Sequence, residues 1–142
     1  MTKRKVWRYR CGFCKRSNCC GAAIATHERG CTANPERVCR MCAHADYQQK
    51  PIATLVGVLR AHVEDEDWPK ALGELRQSAH GCPACILAAI RQSGLQMTAE
   101  DPPWPGELRF DFNFKDEVDS FWKRVNEEEY EKDQRAELEA QW

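Results

Sequence analysis

The sequence predicts a small α+β fold stapled by metal, with a cysteine-rich finger, three short helices, one aromatic strand and a long C-terminal helix. Three observations carry this. Nine cysteines stand among 142 residues. Three pairs have the spacing i, i+3: Cys11 with Cys14, Cys39 with Cys42, and Cys82 with Cys85. Residues 6–44, which hold two of these pairs, have almost no aliphatic side chains beyond alanine except Val6, Ile24 and Val38. Such a stretch buries too little apolar area to offset the entropy of ordering it, so it needs a staple.

The first ten residues, Met1 to Arg10, are charged at the start but lack an apolar run behind them. They do not read as a secretory signal, which predicts an intracellular chain, in nucleus or cytoplasm. Reducing compartments keep cysteines as thiols or thiolates, and an odd count suits disulfides poorly. No run of about 18 apolar residues offers a membrane span.

Three regions follow from composition. Residues 1–48 form the basic finger, 49–96 a helical segment, and 97–142 a Pro-rich loop, a strand and an acidic helix. The formal net charge of −1 hides an asymmetry. Residues 1–50 carry 11 basic and 3 acidic side chains, whereas residues 100–142 carry 6 and 14. Fields of opposite sign at the two ends mean that partners have to be argued region by region.

In the helical segment, Pro51 suits a first helical position, and Ile52, Leu55, Val56, Leu59 and Val63 recur at helical spacing. The acidic run Glu64 to Asp67 ends in an N-cap for a second helix carrying Trp68, Leu72 and Leu75 to about Ser78. Gly81 breaks it. Pro83 opens a third helix with Ile86, Leu87 and Ile90 on its apolar face, and Gly94 closes it. Residues 97–107 read as a loop. Leu108, Phe110, Phe112 and Phe114 then alternate with polar residues, a strand signal whose only visible partner is Val6 to Arg10. Residues 116–142 read as one helix, with Val118, Phe121, Trp122 and Val125 as its stripe and a solvent-facing second half.

Two residues between thiolates let a tight turn aim both sulfurs at one ion, and two such turns complete the closed tetrahedron of structural zinc. The expected first site is Cys11, Cys14, Cys39 and Cys42, an arrangement of treble-clef or zinc-ribbon type. The expected second site is His27, Cys31, Cys82 and Cys85, with Cys20 as the alternative to His27. Adjacent Cys19 and Cys20 diverge too much to share an ion. Two structural Zn2+ ions are thus expected. Taken first with third and second with fourth, these pairs resemble the cross-brace of RING-type fingers, with Phe13 before Cys14 and Pro83 after Cys82. That resemblance implies a ubiquitin-ligase-like module with protein partners. Cys82-Pro-Ala-Cys85 alone could also serve as a redox dithiol, but a helical segment precedes it where thioredoxin-like chemistry wants a strand.

Lys3, Arg4, Lys5, Arg8, Arg10, Lys15 and Arg16 surround Trp7, Tyr9 and Phe13. Cations track phosphates and aromatics stack on bases, so this arm points to nucleic acid. Trp7 in a local core is the competing reading. The acidic C-terminal helix offers a second surface, for a protein partner. No nucleophile signature, Gly-rich phosphate loop or metalloprotease motif appears, so neither a catalytic residue nor a small-molecule substrate is indicated.

Overall fold

A computed structural model describes residues 1–95 and 110–142. The loop expected over 97–107, together with Leu108 and Arg109, lies outside these. The described residues form a small α+β domain with several helices, the C-terminal one long.

The chain opens with a two-stranded antiparallel hairpin, β1 (Tyr9–Arg10) and β2 (Ser17–Asn18), in which Tyr9 faces Asn18 and Arg10 faces Ser17. Helix α1 (Gly21–Gly30) follows, then the short α2 (Arg40–His44). Three helices of about ten residues come next: α3 (Ile52–Arg60), α4 (Trp68–Ser78) and α5 (Pro83–Gln92). The last element is α6 (Phe114–Ala140).

Local chemistry accounts for most boundaries. Asp67 caps α4 by accepting from the Lys70 amide at 3.2 Å. Pro83 opens α5, where a missing N–H costs nothing. Gly81 has φ +68 and begins the turn into Cys82; a Cβ there would lie 2.6 Å from the Arg124 guanidinium. The left-handed φ favours glycine, and the guanidinium would have to move aside for any side chain.

Helix α3 packs against α4 and α5, and α5 packs against α6. Their shared core holds Leu55, Leu59, Leu75, Ile86, Ile90, Phe121 and Val125. Phe110 is buried in it too and meets Trp68 edge-on at 5.3 Å. Helix α3 is also tied to α4 by a 2.7 Å contact between His62 Nε2 and Glu74. Val125 is the last buried residue of α6, and almost everything beyond it faces solvent.

Two expectations need correction. The aromatic strand is absent among the described residues. Phe110 to Asn113 are irregular, and Phe114 begins α6. The reason is Asn113, whose side-chain oxygen accepts from the amides of Lys115 and Asp116 and so caps the helix two residues earlier than expected. Consequently, β1 pairs not with that segment but with Ser17–Asn18. Helix α2 begins on the cysteine pair and ends at His44.

Candidate metal centres

The eight expected ligands fall into two clusters. One is Cys11, Cys14, His27 and Cys31, and the other is Cys39, Cys42, Cys82 and Cys85. Within each, one donor atom per residue lies within 4.8 Å of the others. All eight come together, in a different partition from the one expected. Cys11 and Cys14 meet His27 and Cys31, their neighbours in sequence, whereas the expected partners Cys39 and Cys42 meet Cys82 and Cys85.

The first cluster is built by folding the chain back on itself. Cys11 and Cys14 stand on the turn between β1 and β2. That turn is closed by a 2.9 Å bond from the Cys11 amide to the Arg16 carbonyl. The Phe13 amide points at Cys11 Sγ at 3.4 Å and the Arg16 amide at Cys14 Sγ at 3.5 Å. Helix α1 then returns, carrying His27 in its last turn, with Cys31 as its C-cap. The separation of four residues stacks the two on one face. His27 Nε2 lies 3.2 Å from Cys14 Sγ. Glu28 reaches back to accept from the Gly12 amide at 2.7 Å, which fixes the helix to the turn. The helix can approach the hairpin this closely because Gly21 lies under the Tyr9 ring, where a Cβ would sit 3.3 Å from it.

The second cluster joins two helix starts. Cys39 is the N-cap of α2 and Cys82 the N-cap of α5; Cys42 and Cys85 lie in the first turns. Positive ends of helix dipoles favour thiolates there. All four cysteines are essentially without solvent contact, at 0–2% exposure, and they belong to the hydrophobic core. Cys39 Sγ lies 3.4 Å from Cys82 Sγ, and Cys42 Sγ lies 3.6 Å from Cys85 Sγ. These gaps are far beyond a disulfide bond of about 2.05 Å. They come near the tetrahedral edge of roughly 3.8 Å that follows from metal–sulfur bonds of about 2.3 Å.

The electrostatics fit a cation. Hydrogen bonds from Cys42, Cys82 and Cys85 hold the Cys39 thiol far below the ordinary range. The Cys42 thiol is driven far above it, first by its bond with Cys39. One thiolate among four therefore suppresses the next, and a divalent ion relieves that conflict. In the first cluster burial raises Cys31. At Cys11 burial also pushes upward, but the amides of Phe13 and Cys14 and the neighbouring thiols bring it below its usual value.

Arg37 supplies a separate sign. It is only 6% exposed, and its Nη1 donates to Cys85 Sγ at 3.5 Å while Nε reaches the Gly30 carbonyl at 3.4 Å. Among the described residues it has no carboxylate partner. Burying an unpaired guanidinium is costly. Four thiolates around a divalent ion retain two negative charges, which is the partner this cation requires. Both clusters are thus capable of coordinating a metal ion, and their donor sets are those of structural zinc sites.

No family model matches the chain, and no curated protein or solved structure matches it. Function has to be read from the residues themselves. Sequential pairing is not the cross-brace that the RING resemblance implied. Cys19 and Cys20, the remaining thiols, are exposed and outside both clusters, so Cys20 does not replace His27. A helix precedes Cys82, and Cys82 and Cys85 are shared with a second pair, which leaves the redox dithiol without support.

Two contributors escaped sequence reasoning. Gln49 accepts from the Cys39 amide at 2.6 Å and donates to the Arg37 carbonyl at 2.7 Å, holding the segment between the clusters. Gln92, near the end of α5, donates to the carbonyls of Thr32 and Asn34 at 2.7 and 3.0 Å and links the two halves. Neither residue carries a recognisable motif.

The basic arm is exposed throughout. Lys3, Arg4, Lys5, Arg8, Arg10, Lys15 and Arg16 all face solvent. Trp7 is 89% exposed, Tyr9 51% and Phe13 46%, so Trp7 belongs to no local core. Among the described residues no helix is long and apolar enough to cross a membrane.

Proposed function

We propose that the protein is a zinc-stapled binding module that engages nucleic acid through residues 3–16. Cys11, Cys14, His27 and Cys31 would hold one ion, and Cys39, Cys42, Cys82 and Cys85 the other. Each set offers four protein ligands and leaves no open position for substrate, so the metal serves folding, not catalysis.

The observation that carries the nucleic-acid reading is the exposure of Trp7, Tyr9 and Phe13 among seven cations. Large aromatic side chains left in water, with no carboxylate anywhere in residues 1–16, suit stacking on bases beside a phosphate backbone. The arm leads into the hairpin of the first cluster, so the ion there would fix Tyr9, Arg10 and Phe13 relative to one another.

Arg8→Ala combined with Arg10→Ala is expected to weaken binding of a single-stranded oligonucleotide by roughly ten-fold or more at low salt, with an effect that shrinks as salt rises. Fluorescence anisotropy across a salt series checks this. Equal affinity of variant and wild type at every salt concentration would refute the reading.

A further inference from the structure

Between the two clusters runs a groove of about 380 Å³ whose lining includes Arg16, Arg37 and Arg40. Among the described residues no carboxylate lines it. The guanidinium groups of Arg16 and Arg40 make no ion pair or hydrogen bond among the described residues, whereas Arg37 is anchored on Cys85 and the Gly30 carbonyl. Two neutral donors complete the wall. Thr26 brings a hydroxyl. His27 also lines it; its Nε2 faces Cys14, its Nδ1 makes no hydrogen bond among the described residues, and with a metal on Nε2 the Nδ1 would carry the proton. Arg37 has the thiolate cluster as its counter-charge, but Arg16 and Arg40 have none, and an anion between them would supply it. The donors match one anion in kind. Arginine forks grip phosphate oxygens in pairs, and a hydroxyl and an imidazole N–H serve as additional donors.

We propose that this groove binds a phosphate group, held by Arg16 and Arg40 with Arg37, Thr26 and His27 behind them. As a site on the nucleic-acid backbone it rests on the function proposed above. Arg16 belongs to both surfaces, so a strand lying along the arm would reach the groove at the end of the hairpin. The same chemistry would accept free pyrophosphate, and the two sources are separable by experiment.

The test uses the full zinc-loaded chain, a fluorescent single-stranded dodecanucleotide and inorganic pyrophosphate, with Arg40→Gln as the variant, because Arg16 also belongs to the arm. Arg40 is exposed, so the fold should hold, and unchanged zinc content checks that. The expected result is a loss of about ten-fold in oligonucleotide affinity. The slope of log affinity on log salt should fall by roughly 0.7, the value for one single-strand phosphate, and pyrophosphate should compete. If wild type and variant bind the oligonucleotide equally at every salt concentration, the groove is not a phosphate site, although the arm reading stands. If the oligonucleotide fails to bind wild type while calorimetry shows pyrophosphate binding that Arg40→Gln abolishes, the groove stands and the arm reading falls. Binding of neither ligand overturns both.

Discussion

Cys39→Ser is expected to unfold the helical core. Residues 6–44 look coreless in sequence, which suggests a local effect confined to them. The structure moves the effect to α3 to α6, because Cys39, Cys42, Cys82 and Cys85 sit inside the same buried cluster as Leu55, Leu75, Ile86 and Phe121. A serine oxygen is a harder and weaker zinc ligand than a thiolate. The ion in a small finger is worth about 10–16 kcal/mol in apparent terms, whereas a whole domain is stable by about 5–15 kcal/mol. Losing the site is therefore comparable with the stability of the whole domain. It would also leave three buried thiols without their ion and the Arg37 guanidinium without the negative charge of the cluster. A thermal melt followed by near-ultraviolet circular dichroism should show no cooperative transition for this variant. A melt like that of wild type would contradict the assignment.

Cys31→Ser should act on a smaller unit. Its cluster involves only the hairpin, α1 and the residue that caps it. Amide hydrogen exchange should lose protection across β1, β2 and α1, while α3 to α6 stay protected and one zinc ion remains. The two halves touch through the bonds from Arg91 to Thr32 and from Gln92 to Thr32 and Asn34, and through Arg37, which joins the Gly30 carbonyl to Cys85 Sγ. A handful of hydrogen bonds of about 0.5–1.5 kcal/mol each puts the indirect cost to the core at a few kcal/mol. Oligonucleotide binding should fall as well, because Tyr9, Arg10 and Phe13 lose their fixed arrangement. Loss of both ions would show that the clusters are not independent.

The helices of residues 51–94 were legible because each carries its own punctuation. Asp67 caps, Pro83 opens, and Gly94 at φ +73 follows the last turn of α5. Helix α1 was not legible. Its sequence has one buried apolar residue, Ile24, so no periodic stripe announces it. What orders it is the pull of His27 and Cys31 toward the Cys11–Cys14 turn. The same oversight misassigned the ligands. Twelve residues separate Cys14 from His27, and three separate His27 from Cys31, a familiar zinc-finger interval. Twenty-four separate Cys14 from Cys39, a longer reach. The shorter loop closes at lower entropic cost. Cys39 and Cys82 have the further logic of matching helix starts, which two turns read only from spacing do not reveal.

Phe110, Phe112 and Phe114 show the opposite error. Their alternation is genuine, yet a period of two over so few residues also occurs in a chain about to enter a helix. Asn113, followed by Asp116 and Glu117 in the first turn, was the stronger signal, because it combines a cap with carboxylates at the positive end of the dipole.

Native mass spectrometry of the purified chain tests most directly whether each cluster holds an ion. The expected mass is that of the polypeptide with two zinc ions and no sulfur–sulfur bridges. A metal-free chain lighter by two hydrogens for each bridged cysteine pair would contradict the account.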